Sequence, residues 1–95
     1  MSRRYTIGRD RNCDVNLTGG SVSRLHAEIW RAENGELMVA DRGSSNGTSL
    51  LRNGASFDLG EKAVQPGDLL RMGIVILPVE DLIKMVESRF PAGLS

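Results

Sequence analysis

A chain of 95 residues with 40% hydrophobic and 25% charged side chains has room for one compact domain, and that composition argues against wholesale disorder. Twelve basic residues balance twelve acidic ones, and a formal charge of zero argues against a general nucleic-acid coat or a polybasic membrane anchor. A single cysteine, Cys13, cannot close an internal disulfide, and with a single histidine it cannot build a four-ligand zinc site, so neither metal nor cofactor is expected.

The N-terminus, MSRRYTIGRD, has no apolar stretch of the kind a secretion signal needs. No apolar run approaches the roughly 20 residues that span a bilayer, and the cytoplasm is the expected compartment. Short stretches of strand character then follow one another. Residues 4–8 alternate Tyr5 and Ile7, residues 14–17 alternate Val15 and Leu17, residues 27–30 carry Ala27 and Ile29, and residues 37–41 carry Leu37 and Val39. Residues 69–79 form a longer apolar run broken by Gly73 and Pro78. Glycine-rich polar clusters separate these stretches, including Asn34-Gly35, Asn46-Gly47 and Asn53-Gly54, a pairing that favours tight turns. Short strands at this spacing read as an antiparallel sandwich or barrel. The C-terminal end differs. Val79, Leu82, Ile83 and Val86 fall at helical spacing, with Glu80 and Asp81 suited to a first turn and Pro91 and Gly93 to a stop. The spacing predicts a short α-helix docked on the sheet, with residues 1–78 as the β domain and 79–95 as helix and tail.

Ten of the twelve basic residues are arginine, whose planar fork suits phosphate or carboxylate. Three loops concentrate such chemistry. Arg9 follows Gly8 at a strand end. Ser21-Val22-Ser23-Arg24-Leu25-His26 sets two hydroxyls and an arginine before a strand. Ser44-Ser45-Asn46-Gly47-Thr48 is a polar turn. Together they offer charged and neutral donors with no clear general base, a set suited to a phosphate dianion held by side chains on a rigid scaffold. A hydrolase triad of Ser23, His26 and Asp41 lacks the nucleophile elbow, and a hydrogen-bonded structural role suits His26 better. Cys13 reads as an inert, partly buried thiol, and Asp14 and Asp41 as braces. Arg3 and Arg4 read as solvated groups or as an extension of a positive rim around Arg9. Tyr5, Trp30, Phe57 and Phe90 are too scattered for a base-stacking platform, so no nucleic-acid partner is expected.

The ordered set Gly8-Arg9, Asp14-Val15-x-Leu17, Ser23-Arg24-x-His26-Ala27, Asp41-x-x-Ser44-Ser45-Asn46-Gly47-Thr48, Asn53-Gly54, Gly67-Asp68 and Gly73 resembles the forkhead-associated (FHA) domain over roughly residues 5–77. The resemblance implies an all-β fold, a β-sandwich of two twisted, largely antiparallel sheets with ligand loops at one end. It implies a non-catalytic module of Ser/Thr kinase signalling that binds phosphothreonine in partner proteins. Arg9 and Ser23 would hold phosphate oxygens, Ser45 would add a hydroxyl, Asn46 would bond the peptide main chain, and Arg24 would add a contact. Gly8, His26 and Gly47 would support the site, the glycine by allowing the turn and the imidazole by bracing the Ser23 loop. Seven residues before Gly8 are few for the family, which implies a shortened first strand and an unpaired edge. The C-terminal helix is not part of the usual module. A phospho-independent interaction or homodimer through that helix or an open strand edge is therefore the alternative reading.

Overall fold

The computed structural model describes residues 3–94. Its strands are β1 (Tyr5–Gly8), β2 (Val15–Asn16), β3 (Ala27–Arg31), β4 (Leu37–Asp41), β5 (Thr48–Arg52), β6 (Ala55–Asp58), β7 (Glu61–Val64), β8 (Leu69–Met72) and β9 (Val75–Pro78), followed by the helix α1 (Val79–Arg89). They form the expected β-sandwich, with one sheet in the order β2-β1-β3-β4-β7 and the other in the order β6-β5-β8-β9. Every pairing is antiparallel except β1 with β2.

Period-two alternation sends one face of each sheet inward. Ile7, Ala27, Ile29 and Val39 of the first sheet meet Leu50, Leu70 and Met72 of the second in one continuous core. Burying each large aliphatic side chain contributes about 1.5–3 kcal/mol. The β3–β4 hairpin turns at Asn34-Gly35, where the Asn34 side-chain oxygen accepts the Glu36 N–H and Gly35 takes φ +88°. The 14–17 stretch pairs only through Val15 and Asn16, although Leu17 still packs into the core.

Helix α1 follows β9 without a linker, and Pro78 is both the last strand residue and the N-cap. Val79, Leu82 and Val86 are fully buried against the sandwich and Ile83 packs half-buried beside them. The apolar stripe is thus docked on the sheet, as its spacing predicts. The chain beyond the helix is fastened as well. Arg89 Nη1 donates to the Asp14 carbonyl (2.8 Å), Arg31 Nε donates to the Leu94 carbonyl (2.8 Å), and the Tyr5 and Phe90 rings sit 5.1 Å apart.

Arg3 and Arg4 stay largely solvated, and the alternative positive rim around Arg9 does not form. Arg3 pairs with Asp14 at 2.9 Å and lies over the Phe90 ring, while Arg4 stacks on Trp30 (3.8 Å) and faces Glu28. Both arginines lie just before β1, at the opposite end from Gly8-Arg9. Among the described residues no helix is long and apolar enough to cross a membrane.

Candidate functional site

The connections β1–β2, β2–β3, β4–β5 and β8–β9 meet at one end of the sandwich. Gly8 sets the first of them. Its φ is not left-handed, so the turn-forming role expected of it is not the constraint. The constraint is space. A Cβ on Gly8 would overlap the Arg24 carbonyl oxygen and lie 2.7 Å from its carbon and 3.0 Å from the Ser23 oxygen. That close approach lets the Arg9 N–H donate to the Ser23 carbonyl (2.9 Å) and the Asp10 N–H to the Arg24 carbonyl (3.2 Å), zipping two loops together.

The Arg9 side chain then folds over the second loop. Its Nε donates to the Val22 carbonyl at 3.0 Å, which fixes the stem and leaves both terminal amino groups of the fork without an acceptor among the described residues. Neither Arg9 nor Arg24 forms an ion pair among the described residues. Ser23 Oγ accepts the Ser45 N–H (3.0 Å), so its own proton points elsewhere and is free for an acceptor. Asn46 Nδ2 donates to the Ser21 carbonyl (2.9 Å), leaving the amide oxygen and the second N–H unused among the described residues.

His26 holds this end together from beneath. The side chain is fully buried. Its Nδ1 accepts the Ser23 N–H and its Nε2 donates to the Gly47 carbonyl, both at 3.0 Å, which sets the ring proton on Nε2. One ring therefore braces the Ser23 and Asn46 loops at once. The same geometry disposes of the triad, because the Nδ1 lone pair is engaged by a backbone N–H and not by the Ser23 hydroxyl. Asp41 lies 4.0 Å from Nε2 and serves a different purpose. Its carboxylate accepts from Ser44 N–H and Oγ and from Thr48 Oγ1, clamping the turn that carries Ser45 and Asn46. Burial pushes the Asp41 carboxyl up, but the hydrogen bonds from Ser44, Thr48 and the Gly43 backbone outweigh it and hold the group below its usual range.

Arg9, Ser23, Arg24, Ser45 and Asn46, drawn from three separate loops, line one open depression of about 260 Å³ together with Gly20, Ser21 and Val22. Two unpaired guanidinium groups and several hydroxyl and amide donors converge there, and no acidic side chain lines it. The arrangement can bind an oxyanion and offers no nucleophile paired with a base. A larger groove of about 410 Å³ lies elsewhere, beside Arg31 and Arg52. In that groove Arg52 is engaged by Asp68 through two bonds (2.8 and 2.6 Å), and Arg31 by the carbonyls of Leu94 and Gly35.

Two participants escaped the sequence reading of the site. Ser21 belongs to a singled-out loop, yet its part appears only in three dimensions. Its carbonyl receives Asn46, and its Oγ accepts the Ile74 N–H at 3.0 Å. Gly73 permits that contact, since at φ +61° it opens the β8–β9 turn and a Cβ there would collide with the Ser21 carbonyl. No local signal ties residue 21 to residue 74.

The fold is a β-sandwich domain, with a donor-lined depression carried by the loops at one end. Residues 5–73 match the family model described as the FHA domain, and the chain belongs to that family. It is similar to an FHA domain solved in work on phosphothreonine-dependent FHA domain interactions, with 32% identity, 80% of this chain and 74% of that chain covered, and a TM-score of 0.66. It is similar also to the FhaA FHA domain complexed with the intracellular domain of Rv3910 (32% identity, 80% and 78% covered, TM-score 0.64). The N-terminal FHA domain of Rad53p from S. cerevisiae, solved with a phosphothreonine peptide, shares 27% identity over 86% of this chain and 73% of that one, with a TM-score of 0.63. Over 47 residues the chain is 45% identical to the protein phosphatase 1 regulatory inhibitor subunit PPP1R8 homolog of Arabidopsis thaliana, a match spanning 48% of this chain and 13% of that protein.

Proposed function

We propose that this chain is a non-catalytic reader of phosphothreonine in partner proteins, acting in Ser/Thr kinase signalling in the cytoplasm, with residues 1–78 as the recognition unit and the helical segment 79–95 as its cover. The observation that carries this reading is the pair of unpaired guanidinium groups, Arg9 and Arg24, beside the free Ser23 hydroxyl in a depression with no acidic lining. A solved relative in complex with a phosphothreonine peptide supports it.

Phosphorylation gives a threonine nearly two negative charges and three acceptor oxygens. Arg9 and Arg24 meet the charge, and Ser23 and Ser45 add hydroxyl donors. Asn46, already fixed by Ser21, offers its amide oxygen and remaining N–H to the peptide main chain. Charged hydrogen bonds contribute about 1.5–3 kcal/mol each, and two or three of them less ordering costs correspond to roughly micromolar affinity, about −8 kcal/mol. An unphosphorylated peptide leaves both arginines with nothing to replace their hydration and binds poorly.

The test is calorimetric titration of the wild-type chain, Arg9→Ala and Ser23→Ala with a phosphothreonine peptide drawn from an oriented library, alongside its unphosphorylated form. Both variants are expected to lose binding while retaining the wild-type circular dichroism spectrum. Unchanged affinity in both, or equal binding of the two peptides, overturns the reading.

A further inference from the structure

We propose that the outer face of the four-stranded sheet is a self-association surface, and that its occupant is a second copy of this chain docked about a two-fold axis. This face is neither the helix nor a strand edge, and it does not touch the depression at Arg9.

The two outer faces of the sandwich are built differently. On the five-stranded sheet the charges around Glu28 are partnered. Arg4 lies 3.8 Å over Trp30, and Glu28 faces Arg4 and Arg42 at 3.7 and 3.6 Å. On the four-stranded sheet the register sets two rows of outward side chains across the strands. One row runs Asp58, Ser49, Arg71, Ile76 and the next Ser56, Leu51, Leu69, Pro78. Of six large apolar residues that stand exposed among the described residues, Leu69 and Ile76 point outward from this sheet. A groove of about 430 Å³ runs between Leu51, Ser56, Leu69 and Arg71. Neither Arg71 nor Asp58 forms an ion pair among the described residues. A face that mixes a groove, uncovered aliphatic side chains and unpartnered charges has the makeup of an interface.

The charge pattern selects the occupant. Asp58 and Arg71 flank Ser49 on its two neighbouring strands, one acidic and one basic, in a single row. A two-fold axis along β5, in the plane between two such faces, exchanges the β6 and β8 sides. It sets Asp58 of each copy against Arg71 of the other and Leu51 against Leu51, while Leu69 is brought over the Ser56 side of the opposing groove. One rotation satisfies both charges on both copies and covers Leu51 and Leu69, which is the self-complementarity an isologous dimer requires.

Sedimentation equilibrium of the full chain, from roughly 10 μM to 1 mM, reads the association by mass action. The weight-average mass is expected to climb toward twice that of a single chain. Leu69→Asp, Asp58→Arg and Arg71→Asp lie on the outer face and leave the core intact, and each is expected to weaken dimerisation by about tenfold or more. The double exchange D58R/R71D is expected to restore it. A single-chain mass throughout, a dimer indifferent to Leu69→Asp, or a double exchange no better than either single variant overturns the proposal. Circular dichroism of each variant confirms that the monomer is folded.

Discussion

Replacing Gly8 by alanine tests the close approach on which the pocket is built. The added methyl would overlap the Arg24 carbonyl oxygen and sit 2.7 Å from the carbonyl carbon. Carbon atoms pack at about 3.5–4.0 Å, so the Arg24 peptide must retreat by about 1 Å. That movement breaks or stretches two backbone bonds, Arg9 N–H to Ser23 and Asp10 N–H to Arg24, now 2.9 and 3.2 Å long. At about 1 kcal/mol per bond, with about 1–3 kcal/mol of overpacking strain, the loss is about 3–5 kcal/mol. The lower entropy of the unfolded alanine chain offsets up to about 1 kcal/mol of that, leaving roughly 2–4 kcal/mol. Urea unfolding at neutral pH measures it. The same shift displaces Ser23 from beneath Ser45, so the folded fraction should also bind a phosphothreonine peptide more weakly than wild type. A loss under about 1 kcal/mol with unchanged peptide affinity would mean that the two loops are not in rigid contact, and the account of Gly8 would be wrong.

The carboxylates of Asp41 and Asp68 are both held below their ordinary value of 3.8, Asp41 by Ser44 and Thr48 against the effect of burial, Asp68 chiefly by Arg52. The unfolded chain therefore takes up protons first. The stability these groups contribute is complete above 3.8 and is lost as pH falls through their lower folded values. Urea midpoints should fall steeply below about pH 4, Asp41→Asn should flatten part of that slope, and a midpoint that does not change down to about pH 2.5 would refute the assignment. Burial pushes the Cys13 thiol up, and Asp10 and Asp14 act in the same direction against the Thr6 hydrogen bond. Its alkylation by iodoacetamide at about pH 8 should be at least about tenfold slower in the native chain than in urea, and equal rates would contradict the buried placement.

Much of this architecture is readable from local pattern, and the exceptions share a cause. Residues 37–41 emerge as β4 because Leu37 and Val39 alternate with outward side chains. The spacing of Val79, Leu82 and Val86 specifies the buried stripe of α1. By contrast, β6 is exposed at all four positions, so no alternation marks it, and its existence depends on pairing with β5. In β5 the adjacent Leu50 and Leu51 point to opposite faces, which hides the period. The site divides in the same way. Arg9, Ser23, Arg24, Ser45 and Asn46 announce themselves by chemistry and order, whereas the bonds that orient them join residues 9 to 22, 23 to 45, and 21 to 46 and 74. Such separations leave no trace in a linear pattern.

Both extremities of the described chain gather at the base of the sandwich. Gly93 abuts the Tyr5 hydroxyl, the Leu94 carbonyl is gripped by Arg31 at the far end of β3, and Arg3 covers Phe90. Polypeptide joined to either extremity would leave from the pole opposite Arg9. Tension, bulk or a flexible tether applied there would bear on the foot of the domain, and the mouth of the depression would stay unobstructed.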